Sequence, residues 1–331
     1  KWVRSPIVSG SELLSREIEA IKPSLIITLG SLPLWGLTGL WGVNKWRGSM
    51  LRTDSGIRLV PTYHPSSVLR QWEQRAIAVN DLRRAARFRF HDYPPRTWNF
   101  IVRPSFSDVT RTLTTLLNEA STTELELSFD LETRAGHIAC AGISWDINHA
   151  ISIPFMCVES KEGYWTAWEE AQIIYLLYML LCHSNVKVVG QNLLYDSQYT
   201  YRHWHFIPRV TQDTMISHHV AFAGLPKRLD FQASMYCDEY VYWKDDGKNW
   251  GKHMDEAELW SYNAEDCVRT QECAAVERAT IAKLNLTEQE AFQQSMFWPV
   301  LQTMNRGILV DMKARGQMAL ELMDEMVKRE D

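Results

Sequence analysis

Residues 125–133 read LELSFDLET, and the alternation in them decides the fold: Leu125, Leu127, Phe129 and Leu131 are interleaved with Glu126, Ser128, Asp130 and Glu132. A period of two is that of a strand with one face on a core. Asp130 and Glu132 therefore share one face, while Phe129 and Leu131 point to the other. Working outward, Ile138–Trp145 and Ala150–Pro154 predict two more strands that can form a meander with the first. Glu169–His183 predicts a buried helix and Val186–Val189 a further strand. From Trp98 onward strands and helices alternate, which points to an α/β domain.

Two more acidic words follow at spacings that fit these elements. In GQNLLYD (190–196), Asn192 and Asp196 lie four apart where a strand passes into a helix. In YNAED (262–266), Tyr262 stands one turn before Asp266 on one helical face, in a helix opened by the capping pattern DEAE (255–258) and running to about Leu284. Three elements can thus aim Asp130, Glu132, Asp196 and Asp266 into one pocket. Four carboxylates crowded together raise one another's pKa unless cations compensate. Oxygen-only donors suit Mg²⁺ or Mn²⁺, and two such ions can stabilise the attacking and leaving oxygens of a phosphodiester displacement. Taken singly, each word has a plainer reading: solvated acids at a strand end, a helix cap at Asn192, an amphipathic pair at Tyr262 and Asp266. Their order, spacing and element type together carry the case.

Composition bounds the alternatives. The chain has 331 residues, room for two or three domains, with 46% hydrophobic and 23% charged residues, which excludes wholesale disorder. The longest apolar run, IIYLLYMLLC (173–182), is about half a membrane span. Six cysteines form no C-x-x-C pair and no zinc spacing, so buried reduced thiols are expected. The net charge of −5 is uneven: residues 1–90 carry 14 Lys and Arg against 6 Asp and Glu, the rest 21 against 34. A basic front suits a polyanion, and an acidic remainder suits divalent metal ions. An intracellular setting is expected, cytoplasmic in a bacterium or a phage-infected cell. The opening Lys1 and the charged helix-like end MDEMVKRED predict a fragment of a longer protein.

FDLET, GQNLLYD and YNAED, in that order, resemble the three motifs of the tyrosine-bearing (DEDDy) exonucleases, and residues of about 97–285 resemble the 3′–5′ proofreading domain of family A DNA polymerases. QDTM (212–215) fits that family, as does LDFQASMY (229–236), with Gln232 where a Leu is expected. The resemblance implies an RNase H-like α/β fold, a mixed central sheet flanked by helices. It implies two Mg²⁺ or Mn²⁺ ions, with Asp130, Glu132 and Asp266 on one, Asp130 bridging to the second, and Asp196 acting through the second ion's waters. Tyr262 with Glu132 would orient the attacking water. Asn192, Tyr195 and Tyr199 are candidates to line the path of a single-stranded or frayed DNA 3′ end, with plain packing as the equal alternative for Tyr195, Tyr199 and Tyr201. FWPVLQTMNRGILVD (297–311) is similar to the segment leading into a polymerase thumb, so that no fingers or palm are expected in this chain.

The front block, with IKP (21–23) leading into LIITLG, then RG (47–48), PTYHPS (61–66) and DL (81–82), resembles part of the uracil-DNA glycosylase superfamily, nearest to its iron–sulfur members. In that family the His of H-P-S contacts the departing base, a role that would fall on His64, with a structural His at a capped strand end as the alternative. The family's first motif would lie before Lys1, and no cysteine precedes Cys140, so no iron–sulfur cluster is expected and the block reads as a basic DNA-holding or scaffolding module. Trp35, Trp41, Trp46 and Trp72 read as core or interface residues, with base stacking as the alternative. The expected organisation is a partial glycosylase-like domain at 1–90, a linker at 91–97, an exonuclease domain at 98–285 and the start of a thumb at 286–331. The rival readings are an RNA 3′ exonuclease of the RNase D type, which shares the four acids and the Tyr, and a non-catalytic DNA-binding scaffold.

Overall fold

The computed structural model describes residues 5–90, 96–158, 160, 163–245 and 255–330. Its two compact units are Lys1–Gln294 and Ser295–Asp331. Most of the expected linker, residues 91–95, lies outside the described residues.

The first unit opens with α1 (Ser5–Ile21), β1 (Leu25–Leu29), α2 (Ser31–Thr38), α3 (Val43–Trp46), β2 (Leu51–Arg52), β3 (Arg58–Thr62), α4 (Pro65–Arg70) and α5 (Gln74–Phe90). β3 is central, parallel to β1 and antiparallel to β2. Val60, Ala85 and Phe88 form its core against Leu25 and Met50. The sequence predicts one helix over Val68–Phe90; the structure has two. Pro65 begins a helix early because His64 caps it and Pro fits a first turn, and Gln71 then leaves helical dihedrals before α5 begins.

A buried ionic knot ties this block to the rest of the unit. Asp81 accepts Arg47 Nε at 2.9 Å and the Thr62 hydroxyl at 2.8 Å, and Arg47 also reaches the Ser234 hydroxyl at 2.7 Å. Arg84 donates to the Ser234 carbonyl at 2.6 Å and the Cys237 carbonyl at 2.7 Å. Burial pushes Arg84 down to about 10. Gly48 lets the knot close: its φ is +74°, and a Cβ there would lie 2.7 Å from Asp81 Oδ1.

The acidic words lie on the larger sheet of the same unit and on helices that follow it. In chain order come β4 (Asn99–Ile101), α6 (Phe106–Ala120), β5 (Leu125–Arg134), β6 (His137–Ser144), β7 (His149–Pro154), α7 (Ala167–Leu181), β8 (Val186–Gly190) and α8 (Leu193–Tyr199). A five-residue π-helical turn (Thr200–Trp204) precedes β9 (Val210–Asp213), α9 (Thr214–Ala221), α10 (Leu229–Tyr236), α11 (Glu256–Lys283) and α12 (Thr287–Ser295). The strand order is β4-β7-β6-β5-β8-β9. β5, β6 and β7 form the antiparallel meander expected from the sequence, while β8 runs parallel to β5 and β9 to β8. The result is a mixed central sheet flanked by helices. α7 begins two residues before the expected Glu169 because Thr166 and Glu169 form a reciprocal capping box. α11 packs on β6 at Gly142, where an added Cβ would lie 2.6 Å from both Asn263 Oδ1 and Cys267 Sγ.

The second unit carries α13 (Phe297–Arg306) and α14 (Met312–Glu330). The sequence predicts one helix from Thr287 to Asn305 with a kink at Pro299. Instead the helix ends at Ser295 and a new one starts at Phe297, which puts Pro299 in a first turn, where its missing N–H costs no bond. All six cysteines are free thiols. Among the described residues no helix is long and apolar enough to cross a membrane.

Candidate active site

Alternation on β5 does what its pattern requires: Phe129 and Leu131 are buried, and Asp130 and Glu132 face the other way, half-buried. The register of β5 against β6 slips between Glu132 and Thr133, an irregularity that interrupts the ladder beside the second acid before pairing resumes at Thr133 and Ile138. α11 brings Tyr262 and Asp266 over the same place, and one oxygen each from Asp130, Glu132 and Asp266 lie within 4.8 Å of one another. They open into a cleft of about 600 Å³ that Gln191, Asn192, Met215, Lys227, Arg228 and Tyr262 also line.

Asp196 is placed differently. It is buried, and its Oδ1 accepts the backbone N–H of Leu131 at 2.8 Å, between the two β5 acids, so it stands behind the trio. Burial first, and the neighbouring Asp130 charge second, push its carboxyl well above the usual range. Asp130 is raised by burial and then by the Asp266 charge, and Glu132 by burial and then by the Asp130 and Asp266 charges. Tyr262 is raised as well, by burial and then Asp266.

Four residues that the sequence reading did not single out complete the site. Asn263 donates to Asp130 Oδ2 at 2.8 Å and accepts the Ser152 hydroxyl at 2.8 Å. Asp213 caps α9 through the Met215 N–H at 2.9 Å, and also accepts the N–H groups of Asn192 at 3.0 Å and Leu193 at 2.8 Å. It thereby fixes the start of α8 and with it Asp196; Asn192, at φ 59°, makes no side-chain cap. Trp243 Nε1 donates to Asp266 Oδ1 at 2.6 Å. The Lys244 ammonium donates to the Tyr262 hydroxyl at 2.8 Å and to Asp266 Oδ2. Burial pulls Lys244 down, but Asp266, Asp130 and Glu132 outweigh it and hold the ammonium above its ordinary value. The motif words YNAED and QDTM contain Asn263 and Asp213; only their reach across the fold shows what they hold.

Of the other expected positions, Tyr195 and Tyr199 pack ring to ring at 4.8 Å, and the Tyr195 hydroxyl meets the Thr133 hydroxyl at 2.5 Å, one residue beyond Glu132. His64 is exposed and serves as a helix cap, its Nδ1 accepting the Ser66 N–H at 3.1 Å.

The donor set in the cleft is all oxygen, and a cation of the chain itself already rests against one of the three carboxylates. The all-oxygen donor set fits a hard divalent ion on Asp130, Glu132 and Asp266.

Comparison with known proteins places these features in families. Residues 106–274 match the family model described as 3′-5′ exonuclease, of the DNA polymerase A type. Residues 4–85 match the uracil DNA glycosylase superfamily. No curated protein matches the chain. Among solved structures, NrnC of Brucella melitensis aligns at 16% identity over 53% of this chain and 82% of its own, with a TM-score of 0.42. Escherichia coli RNase D, an exoribonuclease involved in structured RNA processing, aligns at 14% identity over 62% and 51%, with a TM-score of 0.46. The POL domain of Pol1 from M. smegmatis, in complex with DNA primer-template and dNTP, aligns at 16% identity over 69% of this chain and 35% of its own, with a TM-score of 0.47. The chain therefore spans about half of the RNase D structure and about a third of the Pol1 structure.

Proposed function

The chain belongs to the 3′-5′ exonuclease family of the DNA polymerase A type, and from that premise we propose that it removes nucleotides from DNA 3′ ends by divalent-metal-dependent phosphodiester hydrolysis, as the proofreading part of a longer polymerase. The observation that carries this reading is the meeting of Asp130, Glu132 and Asp266, from two elements far apart in sequence, at one cleft beside Tyr262.

Each residue has a part in it. Asp130, Glu132 and Asp266 would hold the metal, and Asp196, tied to Leu131 N–H, would support a second ion. When bound, such ions neutralise the phosphate and lower the pKa of an attacking water. Glu132 and Tyr262 orient that water, and Asn263 keeps Asp130 turned toward the cleft. Asn192, Tyr195 and Tyr199 receive the single strand that ends there. DNA is favoured over RNA as substrate because the same chain carries the glycosylase-superfamily match at residues 4–85, a DNA-directed module. That block, His64 included, serves to hold DNA or to scaffold the site.

The test is a time course on 3′-labelled single strands of one sequence, as DNA and as RNA, with Mg²⁺ or Mn²⁺ against EDTA. Stepwise shortening of DNA that stops in EDTA and in Asp130→Ala is the expected result. Preferential loss of the RNA would move the protein to the RNase D-like reading. No shortening of either strand would leave the scaffold reading, and shortening that persists in EDTA would overturn the metal-dependent mechanism.

A further inference from the structure

One short segment joins the front block to the acidic cleft. Residues 237–245 follow α10, and the front block holds them at several points. Met50 N–H donates to the Tyr240 carbonyl at 2.7 Å, and Tyr242 N–H to the Ser49 hydroxyl at 3.2 Å. The Trp46 and Tyr242 rings pack at 5.4 Å, Lys45 lies 4.9 Å from the Tyr242 ring centroid, and Lys45 pairs with Asp245. Between these anchors, Trp243 and Lys244 reach across to Asp266 and occupy both of its oxygens.

That placement conflicts with metal binding. A divalent ion on Asp266 needs a carboxylate oxygen, and one of the two is held by an ammonium that also repels any second cation brought close. With no metal present, the same ammonium is what offsets three half-buried or buried carboxylates.

We propose that Lys244 is a tethered counter-ion of the metal site, seated there by the front block through residues 237–245, and that a divalent ion binds by displacing it from Asp266. The glycosylase-like block thereby acts as a clamp on the nuclease centre, and loosening the clamp opens the site to metal. This rests on the reading of Asp130, Glu132 and Asp266 as metal ligands.

The test is a calorimetric titration of the whole chain with Mn²⁺ in the absence of nucleic acid, comparing wild type, Lys244→Met, Lys244→Gln, Lys244→Arg and Trp46→Ala. Removing the charge in Lys244→Met or Lys244→Gln is expected to tighten Mn²⁺ binding about tenfold or more. Lys244→Arg keeps the charge and stays near wild type, and Trp46→Ala tightens binding by a smaller factor. Melting temperature gives a second readout: without metal Lys244→Met melts lower than wild type, and Mn²⁺ raises it by more. Equal or weaker Mn²⁺ binding in both uncharged variants, beside a wild type that does bind, overturns the counter-ion. A tightened Lys244→Met with an unchanged Trp46→Ala overturns the clamp. Absence of Mn²⁺ binding from wild type and every variant instead overturns the metal-site reading on which the proposal stands.

Discussion

Asn263 grips Asp130: its amide donates to the carboxylate at 2.8 Å while its carbonyl is itself fixed by the Ser152 hydroxyl. The pair joins α11 to β5, so one helical side chain sets the direction of a strand-borne acid. Gly142 leaves the room that Asn263 occupies.

Replacing Asn263 with Ala should therefore misdirect Asp130 without removing it. Groups that orient a metal ligand are typically worth about 10–100-fold in metal affinity or activity. Measured Mn²⁺ affinity and kcat on a 3′-labelled strand should both fall in that range. Unchanged values for both would show that Asp130 needs no such support.

Asp213 holds three backbone N–H groups at the α8 and α9 starts, and it is fully buried. Asp213→Ala leaves those donors without a partner, a loss of about 2 kcal/mol or more. Urea unfolding should show it as a lower midpoint at unchanged slope, with α8 and Asp196 loosened. A midpoint within error of wild type would rule out this bracing role.

His218 supplies a pH dependence. It is buried, its Nδ1 lies 2.5 Å from the Tyr236 hydroxyl, and burial, then Lys227, bring its pKa down to about 4. The unfolded chain takes up a proton near the ordinary value of about 6.5, whereas the folded chain resists until about 4. The contribution is thus whole above that upper value and is lost as pH falls toward the lower one. The raised carboxyls act with the opposite sign, so the check is a difference: between pH 7 and 5, His218→Gln should lose less stability than wild type. Parallel losses would remove His218 from the account.

Asp81 anchors the front block through Arg47 and Thr62 in a site closed to water. Asp81→Ala leaves the Arg47 charge buried without its counter-ion, a destabilisation of about 3–5 kcal/mol. Because Arg47 and Arg84 both reach Ser234, denaturant unfolding of the variant should show the loss in residues 5–90 and in the α10 region together. Loss confined to the front block would mean that the knot does not couple them.

The sequence alone was sufficient for the β5 strand, the meander, the α11 helix and the acids on their faces, because side-chain period and capping chemistry are local properties read within a few residues. It was sufficient, too, for recognising the exonuclease words, since each word is short and sits on one element. It misjudged the helix breaks at Gln71 and Met296, where a cap or a first-turn proline outweighed the apolar pattern. Tertiary structure alone decided that Asp130, Glu132 and Asp266 meet while Asp196 turns back to the Leu131 N–H. It alone placed Lys244 against Asp266, held from a front block about two hundred residues away in sequence. Such contacts depend on how strands and helices pack and on which charges burial forces together, and no local pattern in the chain encodes that distance.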